Sequence, residues 1–456
     1  MMKRRQFLIT SALGSFVSAG AGGPSAAFAT GNLGTGAFYR QPAVDVPVVD
    51  ETDVVVCGGG PAGIAAAIAA ARKGARVRLI EVHGYLGGVW TAGMVNNIID
   101  YRNKSGLVAE IMAALKKSDA QVSAAVFDVE EMKRLLEELC LQAGVKLLYH
   151  TRVAGAVKDG SNRLTHALVE NVSGRQAFAA KAFVDATGEG DLAARAGCGF
   201  AWGHPVSGKT QPMSLIALLG GLDAAALRAQ GILRGDISSP QEKAAFREEL
   251  KRAGVSPSYG LPTLLRIRDD HFALMANHEY AASGIDAQQL TDASIHARRE
   301  VHTLIQALRK SGGLWKDVRI LATGAQIGVR EGRRIHGRYT VTQEDLIRGA
   351  RFEDAVCRTE YWADIHALDV GHSGGGVTSE GVTAKPYDIP LRALIAKDVD
   401  GLLLTGRCIS GDFYAHASYR VTGDAVALGE AAGRTAAVAA LNGQLPHHVA
   451  WKQIAG

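Results

Sequence analysis

Three glycines near the start of the chain have the spacing of a phosphate-binding turn. Gly58, Gly60 and Gly63 follow a short apolar run from Asp53 to Cys57. In a strand–turn–helix unit, the first glycine permits a tight turn and the second lets a pyrophosphate approach the backbone. The third allows the helix to pack closely on the strand. Because free N–H groups and the helix dipole attract anions, the spacing predicts a dinucleotide site.

The segments that follow complete the unit that must position this turn. An alanine-rich stretch from Ile64 to Lys73 predicts a helix that Gly74 ends, and Arg76 to Ile80 predicts a second buried strand. Glu81 ends that strand, 18 residues after Gly63, where a carboxylate can accept hydrogen bonds from ribose hydroxyls. The unit by itself is compatible with either NAD or FAD.

Later segments distinguish between these cofactors. The run GYLGGVWTAG contains a second glycine pair, Gly87-Gly88. Asp128 is typical of a helix N-cap, and the residues from Arg152 to Ala180 alternate as short strands do. Another buried strand is predicted before Gly406, and Thr422-Gly423 opens a long helix rich in small residues.

Together with VDATGEGDLAARAG from Val184, QIGVREGRRIHGRY from Gln326 and LLLTGRCISGDFYAHASYRVTG from Leu402, these segments resemble the FAD-dependent oxidoreductase family. The likeness is to flavoproteins of the glutathione reductase and fumarate reductase type. It implies an α/β fold, a Rossmann-like FAD/NAD(P)-binding fold with a parallel sheet, a β-meander and an inserted α+β substrate domain. The implied FAD-binding domain comprises residues 50–200 and 385–445, with the substrate domain at 201–384.

The resemblance also implies which residues contact the cofactor, non-covalently bound FAD. They are Gly58, Gly60, Pro61, Ala62, Gly63, Glu81, Gly87, Gly88, Val153, Thr187, Gly188, Gly406, Arg407, Thr422 and Gly423. In the resembled fold the last helix points its N-terminus at the flavin pyrimidine, where its dipole stabilises negative charge on the reduced ring. Gly429, Ala432 and Gly433 in that helix are spaced for close packing of the backbone.

Candidate catalytic residues come from two short motifs. His416 and Arg420 stand in HASYR, which resembles the HGANR segment of fumarate reductase and succinate dehydrogenase flavoproteins. There the arginine holds a substrate carboxylate, although a contact of Arg420 with the flavin or a neighbouring backbone is an equal alternative. Arg407 departs from that pattern, because those enzymes have an acidic residue in its place. His366, in ADIH, is either a proton carrier or a hydrogen-bonded core residue.

The segment that begins at Gln326 contains three arginines, which are Arg330, Arg333 and Arg334. We predict that they pair with acids or cofactor phosphate rather than with substrate.

The leading functional hypothesis is a dehydrogenase that moves a hydride from a small anionic or oxygen-rich substrate to flavin N5. A separate acceptor, a quinone, a cytochrome or oxygen, would take the electrons, since the chain has no haem or iron–sulfur motif. Alternatives are a C=C reductase, a flavin-dependent isomerase, hydratase or lyase, and a flavin carrier without catalysis.

The amino terminus predicts export. KRRQFLI from Lys3 and the A-x-A site at Ala27 to Ala29 resemble a twin-arginine signal peptide, residues 1–29, followed by a flexible leader, residues 30–49. We therefore expect the twin-arginine export machinery to deliver the protein to the periplasm or outside the cell.

Without its three signal-peptide cations, the chain's net charge of +5 falls to +2, which does not indicate binding to nucleic acid. The five cysteines are scattered, so we expect neither disulfides nor a metal site.

Overall fold

The glycine motif lies between a strand and a helix, as the sequence predicts. A computed structural model describes residues 39–121, 123, 125–235 and 238–455. In it β1 (Val48–Cys57) leads into α1 (Pro61–Arg72) and then β2 (Val77–Ile80), which pairs with β1 in parallel. The predicted signal peptide and part of the predicted leader lie outside the described residues.

Further helices follow along the described chain. They are α2 (Leu107–Lys117), α3 (Val129–Gln142), α4 (Asp191–Arg195), α5 (Ala224–Ala229), α6 (Pro240–Arg252), α7 (Ala287–Ser311), α8 (Gln343–Arg348), α9 (Phe413–Tyr419) and α10 (Thr422–Leu441). Asp128 caps α3 as predicted, because its carboxylate accepts hydrogen bonds from the N–H groups of Glu130 and Glu131. Each helix in the described part of the chain is too short or too polar to cross a bilayer.

The remaining strands form one large sheet and several smaller ones. They are β3 (Lys146–Leu148), β4 (Arg152–Lys158), β5 (Leu164–Asn171), β6 (Gly174–Asp185), β7 (Phe200–Ala201), β8 (Ala217–Gly220), β9 (Thr263–Arg266), β10 (His271–Met275), β11 (Arg319–Thr323), β12 (Arg334–Ile335), β13 (Ala355–Thr359), β14 (Ile365–His366), β15 (Val377–Thr378), β16 (Tyr387–Pro390) and β17 (Leu402–Leu404).

The large sheet is organised around β6. Its strand order is β3-β2-β1-β6-β5-β4, and β17 also pairs with β6. The long β6 pairs with β1 on one side, while its other side pairs first with β5 and then, near Phe183, with β17. The pairings from β3 to β6 and to β17 are parallel, and those among β4, β5 and β6 are antiparallel. The predicted parallel sheet and β-meander are both confirmed.

Helices α1 and α10 pack closely against each other. A Cβ atom on Gly429 would lie 2.1 Å from the carbonyl oxygen of Ala62, and one on Gly433 would lie 2.1 Å from that of Ala66. Any larger residue at these positions would force the two backbones apart. The close packing predicted for these glycines is therefore confirmed.

The segment between β6 and β17 contains a second, antiparallel sheet with the strand order β11-β8-β10-β9. It has its own hydrophobic core, in which Phe246 of α6 and Leu304 of α7 pack with Phe272 of β10. This agrees with the predicted α+β composition of the inserted part. Residues 41–456 form one compact unit, and the domain boundaries near residues 200 and 385 remain predictions.

Candidate active site

In the first glycine turn, Gly58 and Gly63 are closely surrounded by protein atoms, whereas the position of Gly60 is open. Gly58 has a φ of +104°, and a Cβ on Gly63 would lie 1.8 Å from the Gly58 carbonyl oxygen. A Cβ on Gly60, in contrast, would meet only the Cα of Gly88, at 4.0 Å. The open space therefore lies at the middle glycine, which was predicted to face a pyrophosphate.

The second glycine pair lies opposite this opening. Gly87 and Gly88 have φ values of +111° and +50°, which favour glycine. Helix α1 begins at Pro61 with no side-chain cap on its N-terminus, so its first N–H groups are free for a ligand. These residues fit a dinucleotide pyrophosphate because they combine a small-residue cradle with uncapped donors.

Glu81 holds the glycine turn from the other side. Its carboxylate is buried and accepts hydrogen bonds from the N–H of Gly59 at 2.5 Å and of His83 at 2.8 Å. Each oxygen retains acceptor capacity for the predicted ribose contact. The N–H of Thr151 donates to the Glu81 carbonyl at 2.9 Å, which brings the start of β4, with the buried Val153, beside this turn.

The carboxyl ends of β6 and β17 bring together the predicted residues Thr187, Gly188, Gly406 and Arg407. Arg407 donates to Glu189 at 2.6 Å, and its guanidinium lies beside Gly188. Gly406 has a φ of +69° and faces Ala62 in the first turn of α1. The departure from the family pattern at Arg407 thus has a partner, since Glu189 supplies an acid to that arginine.

Thr422 and Gly423 contact the segment after the second glycine pair. The N–H of Gly423 donates to the Ile99 carbonyl at 2.8 Å, and the Thr422 hydroxyl accepts from the Ile99 N–H at 3.3 Å. A Cβ on Gly423 would lie 2.4 Å from the Asp100 carbonyl oxygen. These contacts seat the start of α10 on the protein itself, and the flavin contact of the two residues remains a prediction.

Arg420 and His366 are brought together by two shared partners. The Arg420 guanidinium donates to the Asp364 carbonyl at 2.7 Å and to Gln211 Oε1 at 3.2 Å. The same Gln211 oxygen accepts a hydrogen bond from the backbone N–H of His366 at 3.0 Å. The Asp364 carboxylate lies 3.4 Å from both the Arg420 guanidinium and His366 Nε2. Two of the three predicted catalytic residues therefore belong to one hydrogen-bonded group.

A chain of hydrogen bonds continues inward from this group. His366 Nδ1 lies 3.0 Å from His278 Nε2, and His278 Nδ1 lies 3.2 Å from the Tyr280 hydroxyl. Because an ionised Asp364 can only accept, His366 presents its N–H at Nε2, and its Nδ1 accepts from His278. The partly exposed Tyr280 hydroxyl, 3.2 Å from His278 Nδ1, also lies 3.2 Å from the Ser258 carbonyl, and its single proton serves one of these two acceptors. The chain links Asp364 to the neighbourhood of the surface.

Positive charge dominates this group. Burial and the nearby Arg420 lower the pKa of Arg330 to about 10. Arg330 donates to the Pro212 carbonyl and the Ser214 hydroxyl, neither of which is a carboxylate. Burial and the charge of Arg330 lower the pKa of His366 to about 3, so the ring is neutral near pH 7. Burial raises the pKa of Asp364, but His366, Arg420 and Arg330 outweigh this and hold it below its usual range.

Two N–H donors around Asp364 have no partner among the described residues. They are Nε2 of Gln211, which is 1% exposed, and Nε of Arg420. A buried donor left without an acceptor is destabilising by roughly 1–3 kcal/mol. Since Arg420 and Asp364 retain 11% and 16% side-chain exposure, a ligand oxygen could reach the group and satisfy these donors.

His416 does not share hydrogen bonds with this group. It lies on α9 with no exposed surface, and neither ring nitrogen has a hydrogen-bond partner within the described chain. Burial lowers the pKa of its imidazole well below the usual value. The ring packs edge-on to Tyr419 at 5.6 Å. These contacts are those of a buried residue, and the catalytic role of His416 remains a prediction.

The three arginines of the segment from Gln326 separate into two kinds. Arg333 donates to Asp191 at 3.0 Å, and Arg334 pairs with the buried Glu331. The predicted pairing with acids is thus confirmed for these two. Arg330 differs, because its guanidinium donates to the Pro212 carbonyl and the Ser214 hydroxyl and no carboxylate is its hydrogen-bond partner among the described residues.

Sequence reasoning missed Gln211, His278 and Tyr280. Gln211 lies 155 residues and His278 lies 88 residues from His366, and none of the three belongs to a local motif. The available signal was weak: polar residues close to an apolar stretch, as in Asn277-His278, two residues after the end of β10.

The parallel sheet, its β-meander and the open glycine cradle define a dinucleotide-binding protein of the Rossmann type. The chain belongs to the FAD dependent oxidoreductase family, whose profile matches residues 53–456.

Similar proteins include the thiamine thiazole synthase of Methanococcus vannielii, 33% identical over 100 residues that span 22% of this chain and 38% of that protein. The thiamine thiazole synthase of Aeropyrum pernix is 46% identical over 52 residues, 11% of this chain and 19% of that protein. The chain thus spans less than two-fifths of either relative.

Two similar solved structures cover most of both chains. The flavin-dependent brominase Bmp2 has a TM-score of 0.48 at 13% identity, covering 89% of this chain and 81% of that one. A geranylgeranyl bacteriochlorophyll reductase-like protein from Thermoplasma acidophilum has a TM-score of 0.43 at 13% identity, covering 86% and 80%.

Proposed function

We propose that this enzyme is a dehydrogenase that oxidises a small organic anion. The observation that carries this proposal is the group formed by Arg420, Arg330 and Asp364, in which the Arg420 guanidinium lies 3.4 Å from the carboxylate and Arg330 is near enough for both charges to affect its pKa. With His366 neutral, the group has excess positive charge and unpartnered N–H donors. A carboxylate or similar oxyanion would supply both the missing charge and the missing acceptors.

An arginine fixes such an anion in orientation as well as in position. Nη2 of Arg420 already donates to Asp364 and Gln211, whereas its Nε is unpartnered and can donate a charge-assisted hydrogen bond to a carboxylate. Gln211 Nε2 is a second unpartnered donor beside it. Fixing the acid group fixes the neighbouring carbon, and such positioning is a large part of the catalytic power of many enzymes.

The same residues provide for the proton. Oxidation of an alcohol or amine removes a hydride and a proton, and FAD when bound supplies the two-electron acceptor. Arg330 and Arg420 both lower the pKa of His366, so an anion bound near them would offset that charge and make the imidazole a better base once Nδ1 is released from His278. His278 and Tyr280 extend the hydrogen bonds from His366 toward solvent.

Reduction of an activated C=C bond is a second candidate. The direction of the hydrogen bonds from His278 through His366 to Asp364 favours it. With Asp364 as the final acceptor, His278 donates to His366 and the His366 N–H at Nε2 points toward the site. That direction suits delivery of a proton to a substrate carbon.

Several finer features belong to the same proposal. We place the enzyme with the glutathione reductase and fumarate reductase type of flavoprotein, with FAD bound non-covalently by residues 50–200 and 385–445. A separate quinone, cytochrome or oxygen would reoxidise the flavin.

No attachment motif stands near Gly87-Gly88, so acid precipitation should release the flavin to the supernatant. Colour that stays in the pellet would contradict the non-covalent assignment, and His83 would then be the first residue to examine.

Anaerobic bleaching of the bound flavin tests the reaction. The purified holoprotein is mixed with hydroxy acids, sugars, amines and steroids, and the dithionite-reduced protein with unsaturated acids. Bleaching by an acid and not by its methyl ester would support the dehydrogenase proposal. Bleaching by neutral compounds alone would refute the anion site. Reoxidation by an unsaturated acid would favour the reductase, and conversion without any change in flavin colour would favour an isomerase, hydratase or lyase.

Export through the twin-arginine machinery to the periplasm or beyond is also a proposal, supported by Arg4 and Arg5 in KRRQFLI. Replacing both by lysine preserves the charge but should retain the precursor in the cytoplasm. Cell fractionation of the variant, beside a Lys3→Arg control that keeps both arginines, measures this. Normal export of the double variant, or dependence on the general secretory channel, would overturn the assignment.

A further inference from the structure

Three side chains that could bind a cation meet outside the proposed active site. Glu279, His296 and Glu300 each offer one ligand atom, and these atoms all lie within 4.8 Å of one another. His296 and Glu300 also line an open surface cavity of about 420 Å³. One imidazole and two carboxylates form a mixed nitrogen and oxygen donor set, of the kind that first-row transition cations accept.

Secondary structure holds these residues in place. His296 and Glu300 are four residues apart on α7, so they lie on the same face of the helix. Glu279 comes from the loop after β10, where its N–H and carbonyl exchange hydrogen bonds with the backbone of Met213 at 2.8 and 3.1 Å. The group thus joins a 25-residue helix to a loop of fixed position.

One oxygen of the group has no partner. Glu279 is 6% exposed, and its Oε1 accepts no hydrogen bond from any described residue. Its Oε2 lies 2.8 Å from His296 Nδ1. Neighbouring ligands of a tetrahedral cation with bonds of about 2.1 Å lie about 3.4 Å apart, so a small widening of this pair would give the separation that a shared cation requires.

Glu300 is held ready by a single neighbour. Its two oxygens accept hydrogen bonds from the N–H and the hydroxyl of Ser258, both at 2.7 Å. Burial raises the pKa of the Glu279 and Glu300 carboxyl groups, and in Glu279 the nearby Glu300 adds to the effect. A divalent cation would oppose this, because it stabilises both carboxylates in their ionised form.

We propose that Glu279, His296 and Glu300 bind one divalent transition-metal cation, such as zinc or manganese, with water completing its coordination from the cavity. Its place in the fold indicates a structural role, since it would tie α7 to the loop that carries His278. Spacing among cysteines and histidines could not indicate this site, because two of its three ligands are carboxylates and one comes from another segment.

Titration of the untagged holoprotein with zinc chloride, after removal of metals by a chelator, tests the proposal. We expect one equivalent to bind and the melting temperature to rise. Glu279→Gln and His296→Ala should each weaken binding at least tenfold, whereas His302→Ala, an exposed histidine elsewhere on α7, should leave it unchanged. The Mn²⁺ electron paramagnetic resonance signal should broaden on addition of the parent protein and much less on addition of Glu279→Gln.

Flavin content and the melting temperature in chelator provide the control for folding. Both should be the same in Glu279→Gln and in the parent. If the metal-free parent binds neither cation, the site does not exist. If Glu279→Gln and His296→Ala bind as tightly as the parent, the cation lies elsewhere and the proposal fails. If a variant proves unfolded in chelator, Glu300→Gln replaces it in the same titration.

Discussion

His366 Nδ1 and His278 Nε2 lie 3.0 Å apart, and the two imidazoles are buried at 6% and 2% exposure. A hydrogen bond at this distance needs one donor and one acceptor, so the two facing nitrogens share a single proton. Burial lowers the pKa of both rings, and the charge of Arg330 lowers each further. The protonation of the pair is therefore coupled to whatever neutralises Arg330.

This coupling predicts that an anion binds together with a proton. Sulfate bound between Arg330 and Arg420 should raise the pKa of His366 from its value of about 3. Because the proton is held more tightly in the complex, affinity should strengthen as the pH falls below the pKa of His366 in the complex, and should level off only near its pKa of about 3 in the free protein. Calorimetry in buffers of different ionisation enthalpy measures the proton uptake.

The control for this prediction is His366→Gln, which should bind sulfate without uptake of a proton. Arg330→Gln should bind it more weakly at every pH. Equal affinity of the parent protein across the pH range would show that the imidazole pair does not respond to the anion.

Arg420→Lys should retain FAD but lose activity with the anionic substrate. Arg420 contacts Asp364 and Gln211, and none of its hydrogen bonds goes to a predicted cofactor-binding residue. Lysine cannot reproduce the Nη2 contacts and the Nε donor together, so transition-state stabilisation should fall by about 2 kcal/mol and kcat/KM roughly 30-fold. Arg252→Lys, at a surface position with 71% side-chain exposure, serves as the matched control. Colourless Arg420→Lys protein would instead assign the arginine to the cofactor, and unchanged kcat/KM would remove it from the mechanism.

Gly60→Val should fold but be colourless. A Cβ at this position meets nothing nearer than 4.0 Å, so the protein itself accommodates it. The added methyl groups would occupy the space predicted for the pyrophosphate. Absorbance of the purified protein in the flavin region, compared with Gly160→Val in an open surface turn, gives the result. Stoichiometric FAD in Gly60→Val would contradict the assignment of the motif.

Gly433→Ala should lower the stability of the enzyme. Its Cβ would lie 2.1 Å from the Ala66 carbonyl oxygen in α1, so α1 and α10 must separate. We expect a loss of about 1–3 kcal/mol in the free energy of unfolding, as in other overpacked cores. Leu441→Ala, at a 48% exposed position of α10, should change stability by less than about 0.5 kcal/mol. Denaturant titration of both variants separates packing from a general effect on the helix.

The elements around the cofactor could be predicted because their signals are local. Gly58, Gly60 and Gly63 indicate a turn, and the flanking apolar runs indicate the strands, all within a short stretch of chain. The Asp128 N-cap and the long helix that ends at Leu441 are predicted in the same way, from consecutive residues. Such features depend on backbone geometry, which neighbouring residues determine.

The substrate side of the site could be predicted only in part, because distant segments assemble it. Asp364 and Arg420 stand in short motifs, but nothing near Gln211 or His278 shows that they meet His366. Nor does the spacing of Arg330 and Arg333 reveal that only the second one pairs with an acid. These differences arise from tertiary packing, which a single sequence does not display.

The dual pairing of β6 has a consequence for the timing of synthesis. The edge of β6 near Phe183 pairs with Leu402 of β17, about 220 residues later in the chain. A ribosome that adds about 5–20 residues per second needs about 10–45 s to cover that interval. Throughout this interval, residues 183–185 of β6 have no β17 to pair with, because β17 has not been synthesised. β5, which pairs with an earlier part of the same edge of β6, has already been synthesised. The flavin-binding sheet is therefore completed only when the ribosome has nearly finished the chain.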